Sequence, residues 1–394
     1  MPQNNHFQHQ NYPTQPAIAP KFRRLTVTDG DGLDFSHLHS ALSVREVVVV
    51  HGTFMGDDPF GVCEMMSSIA DSVTPLRKPL EFACAKLKER TTPFTQKVTR
   101  DVGNYTPEFG TEFQKLVGDD PPVRLLQPTW TGQNHHFARA DLAVRLLCRL
   151  NELQPEESER ILLWGHSHAG NAFALLSNLL ANDRATVAAF FETAEPKLPP
   201  HWEQARSLLL AAPSPHPWAK SVLIAAFGTP VRYGWDTAGY GQLVHVLHHR
   251  NYQAEHPLIT KPMFPPHSLP DTIKAKYGDW VQSFAIAGTD VSAPTSIGAN
   301  KKLTALLEAG LEPPVHGFDT KLIVPERIRN ACARWKTGTR CHADGLNLLV
   351  DYEPCGRTST AMPIEAALLG HGVATTVDWL PAHLAMVMDS LHTD

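Results

Sequence analysis

Ser167 stands between two histidines in ILLWGHSHAGNAFALL, residues 161–176, where an apolar run gives way to a helical pattern. A serine hydroxyl is a poor nucleophile at neutral pH until an imidazole takes its proton as attack proceeds, and the chemistry such a pair performs is acyl transfer. Ile161 to Trp164 reads as a strand and the stretch after Gly170 as a helix. The serine therefore falls on a strand-turn-helix bend, which strains its backbone and pushes its hydroxyl outward. Positions two before and two after it must be small, because strand and helix pass close together there. Gly165 meets that demand; Ala169 adds one methyl, and Gly170 directly behind it relieves the crowding. Adjacent side chains diverge in a tight turn, so neither His166 nor His168 is expected to be the base for Ser167.

What His168 can supply is its backbone N–H. At the start of a helix that group has no intrahelical partner, and the dipole there favours negative charge. It makes one half of an oxyanion hole. The other half needs an N–H from the loop after an earlier central strand, and HGTF at 51–54 stands at that place. Gly52 lets the backbone approach, and Thr53 is the expected donor.

These groups need a scaffold that brings distant segments to one edge. VREVVVVHGTFMG contains four consecutive valines, the mark of a strand buried on both faces, and it breaks sharply at His51-Gly52. PPVRLLQPTW supplies a short strand, and HHFARADLAVRLLCRLNEL a helix with Leu142, Leu146 and Leu150 on one stripe. RILLW, SVLIAAF, QSFAIAG and LNLLVDY read as further strands, and WLPAHLAMVMDSL as a last helix. Strands alternating with helices imply a parallel α/β sheet. FRRLTVTDGDGLDF, before all of these, reads as an opening hairpin; its DGDG lacks the regular Asp spacing and closing Glu of a calcium loop. Residues 1–20 are rich in Gln, Asn, Pro and His, and are expected to be a disordered tail. The folded domain is expected over 21–394, with insertions at about 55–120 and 229–280.

The HG loop and the GHSxG-type elbow, in this order and on these elements, resemble the α/β-hydrolase superfamily and its lipase- and esterase-like members. The resemblance covers roughly residues 40–390. WTGQN at 130–134, followed by Arg139, and FGTPVRYGWD at 227–236 are similar to segments of uncharacterised hydrolases of this kind, and carry no assigned chemistry. The resemblance implies an α/β-hydrolase fold: a mostly parallel central sheet flanked by helices, with cap- or lid-like insertions. It also implies the chain order Ser, acid, His, with the acid in the turn after the second strand beyond the elbow and the histidine after the last strand. Asp290, three residues beyond the strand-like QSFAIA, is favoured as the acid over Asp236, one strand earlier. His371, between two glycines after LNLLVDY, is the expected base; His342 and His383 read as structural or surface groups. The activity implied is cofactor-free hydrolysis of carboxylic esters of small or lipid-like substrates. The alternatives are an amidase or thioesterase using the same triad, and a catalytically silent binding protein on the same fold.

Composition narrows the partners. Lys and Arg total 35 against 40 Asp and Glu, a formal charge of -5, and no basic cluster is interleaved with aromatics, so nucleic acid is not an expected partner. No apolar run reaches the roughly 18 residues of a membrane span, and the start of the chain lacks the pattern of a secretory leader. The expectation is a soluble protein of the cytoplasm with no integral membrane segment. Cys332, Cys341 and Cys355 lie near His342, but no CxxC pair offers zinc-ligand spacing; the six cysteines are expected to be free thiols and no metal site is expected.

Overall fold

In a computed structural model, seven strands form one central sheet in the spatial order β1-β9-β6-β5-β4-β2-β3, with all its pairings parallel. The structure describes residues 7, 20–28, 38–53, 103–117, 122–196, 198–250, 252–253, 256–260, 278–287, 296–307, 341–353 and 370–391. The strands are β1 (Lys21–Thr28), β2 (Val44–Val50), β3 (Arg124–Leu126), β4 (Arg160–His166), β5 (Val222–Phe227), β6 (Gln242–His248) and β9 (Leu346–Glu353). A separate antiparallel pair, β7 (Tyr252–Gln253) and β8 (His256–Thr260), follows β6.

The valine run of β2 behaves as its composition demands. Side chains alternate between faces along a strand. Val48 and Val50 therefore join the core on one side of the sheet, and Val47 and Val49 the core on the other. On the first side, Leu142, Leu146 and Leu150 of helix α3 (His136–Leu153) and the wholly buried helix α4 (His168–Ala181) cover the strands. On the second, helix α2 (Pro107–Val117) presents Phe109 and Phe113, and helix α9 (Leu380–Leu391) presents Leu384 and Val387. Phe113 meets Trp164 of β4 edge to face, with ring centroids 5.3 Å apart. Helices on both faces of a parallel sheet bury its inner strands twice, which is why β2, β4 and β5 read as largely continuous apolar runs. The expected α/β architecture is observed. Among the described residues no helix is long and apolar enough to cross a membrane.

Several expectations are corrected. β1 pairs in parallel with β9, residue 21 opposite 346, and so belongs to the main sheet; the second arm of the expected hairpin lies outside the described residues. QSFAIAG is not a strand: Trp280–Ala287 is a helix, α7. The strand is instead QLVHVLH, inside the stretch assigned to an insertion. His245 and His248 interrupt its apolar pattern, yet both are buried, so the polar residues hid a core strand. The described part of the 55–120 insertion packs against the sheet face through α2. In the N-terminal tail, Phe7 is buried: its carbonyl accepts from Gly234 N–H at 2.8 Å and its ring stacks on Phe190 at 5.7 Å. One aromatic among polar neighbours is a weak sequence signal, but it is enough to seat that residue in the core. Cys148 is a free thiol and Cys341 is buried, while Cys332, Cys355 and the DGDG turn lie outside the described residues.

β2 also carries a buried carboxylate. Glu46 is 1% exposed, with its oxygens 3.0 Å from Arg124 and 3.8 Å from Arg149. Burial raises its pKa, and the attraction of Arg124, Arg149 and Arg45 offsets this only in part. A folded-state pKa above the unfolded one means that the folded chain holds the proton more tightly, so the stabilisation present in acid is lost as pH rises through the folded value. Glu46→Gln has no proton to lose. It is expected to be more stable than wild type near neutral pH, on the order of 1 kcal/mol, since a neutral isostere avoids the desolvation cost of a buried charge. That gain should shrink in mild acid, as thermal melts at the two pH values would record.

Candidate active site

The bend after β4 is a tight turn from strand directly into helix. Ser167 has φ 56° and ψ -128°, a backbone conformation that non-glycine residues rarely adopt and that costs on the order of 1–3 kcal/mol. Bonds from its surroundings hold it there. Ser167 N–H donates to Phe227 O of β5 at 2.7 Å, Gly170 N–H donates to Ser167 O at 3.1 Å, and the Thr229 hydroxyl donates to the same carbonyl at 3.1 Å. Helix α4 starts at the next residue, and the serine side chain makes no capping bond to it. The hydroxyl is not spent on the helix.

The methyl of Ala169 is accommodated by its neighbours. A Cβ at Gly165 would lie 2.3 Å from the Phe173 ring and 3.2 Å from Ala169 Cβ, so the absence of a side chain at 165 makes room for the methyl at 169. Glycine is instead demanded at 170, where a Cβ would fall 2.0 Å from Thr229 Oγ1. The crowded position has moved along by one residue.

His371 and an aspartate form the second half of the site. His371 is buried after β9, and its Nδ1 lies 2.5 Å from Asp279 Oδ2. With Nδ1–H donating to the carboxylate, Nε2 keeps its lone pair and can accept a proton. Asp279 is 1% exposed; its other oxygen accepts from Gln282 N–H at 2.8 Å at the start of α7, and its own N–H donates to His248 O at 3.1 Å. The last bond ties Asp279 to the carboxyl end of β6, the second strand beyond the elbow. Gly228, at φ 56° just past β5, lies under the pair: a Cβ there would stand 2.9 Å from Asp279 Oδ2 and 3.1 Å from the His371 ring.

Asp290 lies outside the described residues, and the carboxylate beside His371 belongs to Asp279. The topological expectation, an acid after the second strand beyond the elbow, was applied to the wrong segment because α7 was read as that strand. Asp236 serves as a cap: its side chain accepts from Ala238 N–H at 3.0 Å. Asp279 could have been found from the sequence only by recognising QLVHVLH as a strand and GDW at 278–280 as the return to its end.

The two halves meet at the carboxyl edge of β4, β5 and β6. His166, the residue before the serine, donates from Nε2 to His371 O at 3.2 Å, and its ring lies 4.3 Å from the His371 ring. Burial first, and the proximity of His371 second, hold the pKa of His166 well below the ordinary imidazole value. It is a neutral donor that fixes the loop carrying His371. Among the described residues no hydrogen bond joins Ser167 to His371; such contacts commonly tighten only when substrate binds. His383 and His342, read as structural or surface groups, are both buried inside the protein and neither is at the surface, held neutral by burial with pKa values lowered to about 3 and about 4.

Gly52 reaches the serine as anticipated. A Cβ at that position would lie 2.9 Å from Ser167 Cβ and 3.2 Å from His166 Nδ1. Thr53 follows it in the turn, half-buried. His51 is clamped by Trp130 of the WTGQN segment, whose indole N–H donates to His51 O at 3.0 Å. His168 is buried at the first position of α4, with its Nδ1 accepting from Asn171 Nδ2 at 3.0 Å. Two segments without assigned chemistry also prove to be joined: Tyr233 OH accepts from Arg139 Nε at 2.8 Å and is hydrogen-bonded to His136 Nδ1 at 2.6 Å.

Comparison of the chain with family models, curated proteins and solved structures gives no match. The functional reading therefore rests on the geometry of the site.

Gly52→Ala follows directly from that geometry. The added methyl meets a backbone-anchored Cβ that cannot rotate away. Crowding of this kind typically costs about 1–3 kcal/mol of stability. The expected outcome is a lowered melting temperature together with loss of any Ser167-dependent turnover, measured on the same preparation.

Proposed function

We propose that this protein is a cofactor-free serine hydrolase acting on carboxylic esters. The observation that carries the reading is the pairing of a strained, uncapped Ser167 with a buried Asp279–His371 couple at the same sheet edge. Chain order adds support: serine after β4, acid at the end of β6 and histidine after β9 follow the arrangement of the α/β-hydrolase superfamily.

Each group has a role. Ser167 Oγ attacks the ester carbonyl carbon while His371 Nε2 takes its proton. Asp279 holds the imidazole in the required tautomer and stabilises its cation. The N–H groups of Thr53 and His168 hold the tetrahedral oxyanion, a contribution of about 3 kcal/mol for each such donor. Collapse breaks the ester C–O bond, His371 returns the proton to the leaving alcohol, and water activated by the same imidazole releases the acid and regenerates the serine.

An oxygen leaving group needs less help than an amide nitrogen, so p-nitrophenyl esters are expected to turn over faster than the matching anilides, with the activity absent in Ser167→Ala. A panel running from short to long acyl chains, with thioester analogues alongside, identifies the preferred class. Faster cleavage of anilides or thioesters would make the protein an amidase or thioesterase with the same triad. No turnover of any class by the folded protein would favour a silent binding protein on this fold.

A further inference from the structure

Thr229 belongs to the FGTPVRYGWD segment, to which the proposed chemistry gives no role. It is fully buried. Its hydroxyl donates to Ser167 O at 3.1 Å and packs against Gly170, where a Cβ would fall 2.0 Å from Oγ1. Its carbonyl accepts twice, from Gln282 Nε2 at 3.0 Å and from His342 Nε2 at 3.2 Å, which fills both lone pairs. Gln282 is the same residue whose backbone N–H donates to Asp279 Oδ1.

We infer that Thr229 is a positioning residue that sets the Ser167 elbow against the Asp279–His371 couple. Its hydroxyl fixes the serine carbonyl, and its own carbonyl is fixed by the residue that fixes the acid. The inference rests on the hydrolase reading above.

The arrangement is specified from both ends. His342 Nδ1 accepts from Trp235 Nε1 at 3.2 Å, so the proton of the neutral ring must sit on Nε2 and point at Thr229 O. The His245 ring stacks on His342 at 3.9 Å, only 8° from parallel, and prevents the imidazole from tilting away. Burial keeps His342 uncharged near neutral pH, its pKa lowered to about 4. A displacement of about 1 Å at a reacting group can cost on the order of 100-fold in rate, so one hydrogen bond to the carbonyl of the nucleophile can act through placement alone.

Two substitutions separate hydroxyl from shape. Thr229→Val keeps the volume against Gly170 and removes the donor; Thr229→Ser keeps the donor and removes the methyl. With a p-nitrophenyl ester that the wild type hydrolyses, Thr229→Val is expected to lower kcat by about 10- to 100-fold with KM unchanged, and Thr229→Ser to stay close to wild type. Gln282→Met, assayed in parallel, should lower kcat in the same way, and combining it with Thr229→Val should cost less than the product of the two separate losses. A folded Thr229→Val with wild-type kcat, or a Thr229→Ser as impaired as Thr229→Val, would overturn the inference and leave the hydrolase reading standing. If Thr229→Val does not fold, Gln282→Met decides: an unchanged kcat overturns the inference, a lowered kcat at constant KM supports it. A wild type that neither turns over esters nor labels at Ser167 would overturn both.

Discussion

Asp279→Asn is expected to lower ester turnover by about 10⁴-fold while the protein remains folded, the size of effect seen when a triad acid is replaced by its amide. The carboxylate accepts from His371 Nδ1 on one oxygen and from Gln282 N–H on the other, so the amide nitrogen must displace one of these bonds or leave it unmade. If the amide oxygen keeps the Gln282 bond, its NH₂ faces the ring, and His371 must then place its proton on Nε2, where it can no longer take one from the serine. Asp236→Asn disturbs only a cap and is expected to leave kcat near wild type. Steady-state kinetics of the two variants, with Asp290→Asn beside them, measures which carboxylate serves the imidazole. Wild-type kcat in Asp279→Asn would break the assignment.

His371→Ala is expected to cost more, on the order of 10⁶-fold in kcat, because it removes the group that takes and returns the proton. Members of a triad act as a unit, so the double variant Asp279→Asn with His371→Ala should be no slower than His371→Ala alone. Summing logarithms of the separate losses would be the wrong arithmetic for groups that share one proton. Two further contacts would also change: the His371 carbonyl accepts from His166, and the His371 ring packs on the His166 ring, so a melting curve should accompany the kinetics. Turnover in His371→Ala comparable with wild type would require another base for Ser167.

Much of the scaffold was legible because its physics is local. Four valines in a row report a strand covered on both faces, and the four-residue spacing of Leu142, Leu146 and Leu150 reports the helix that covers it. Ser167 and His371 stood out as candidates for different reasons: Ser167 lies where a strand gives way directly to a helix, and His371 lies between two glycines after the last strand. Asp279 was hidden because the strand that presents it carries buried histidines, and because its own neighbours WVQSFAIA are apolar enough to pass for a strand when they form a helix. The cross-bracing by Thr229, Gln282 and His342 joins residues more than fifty positions apart in the chain and leaves no periodic trace. Phe7 is the converse case, a single aromatic whose burial depends wholly on a cleft made by distant residues.

The central claim is that Ser167 Oγ is an activated nucleophile. Treatment of the folded wild-type protein with a fluorophosphonate, followed by peptide mass spectrometry, tests it most directly. The expected result is one covalent phosphonyl adduct on Ser167, absent from Ser167→Ala and formed far more slowly in His371→Ala. A folded wild-type protein that stays unlabelled, or carries its label on another residue, would contradict the account.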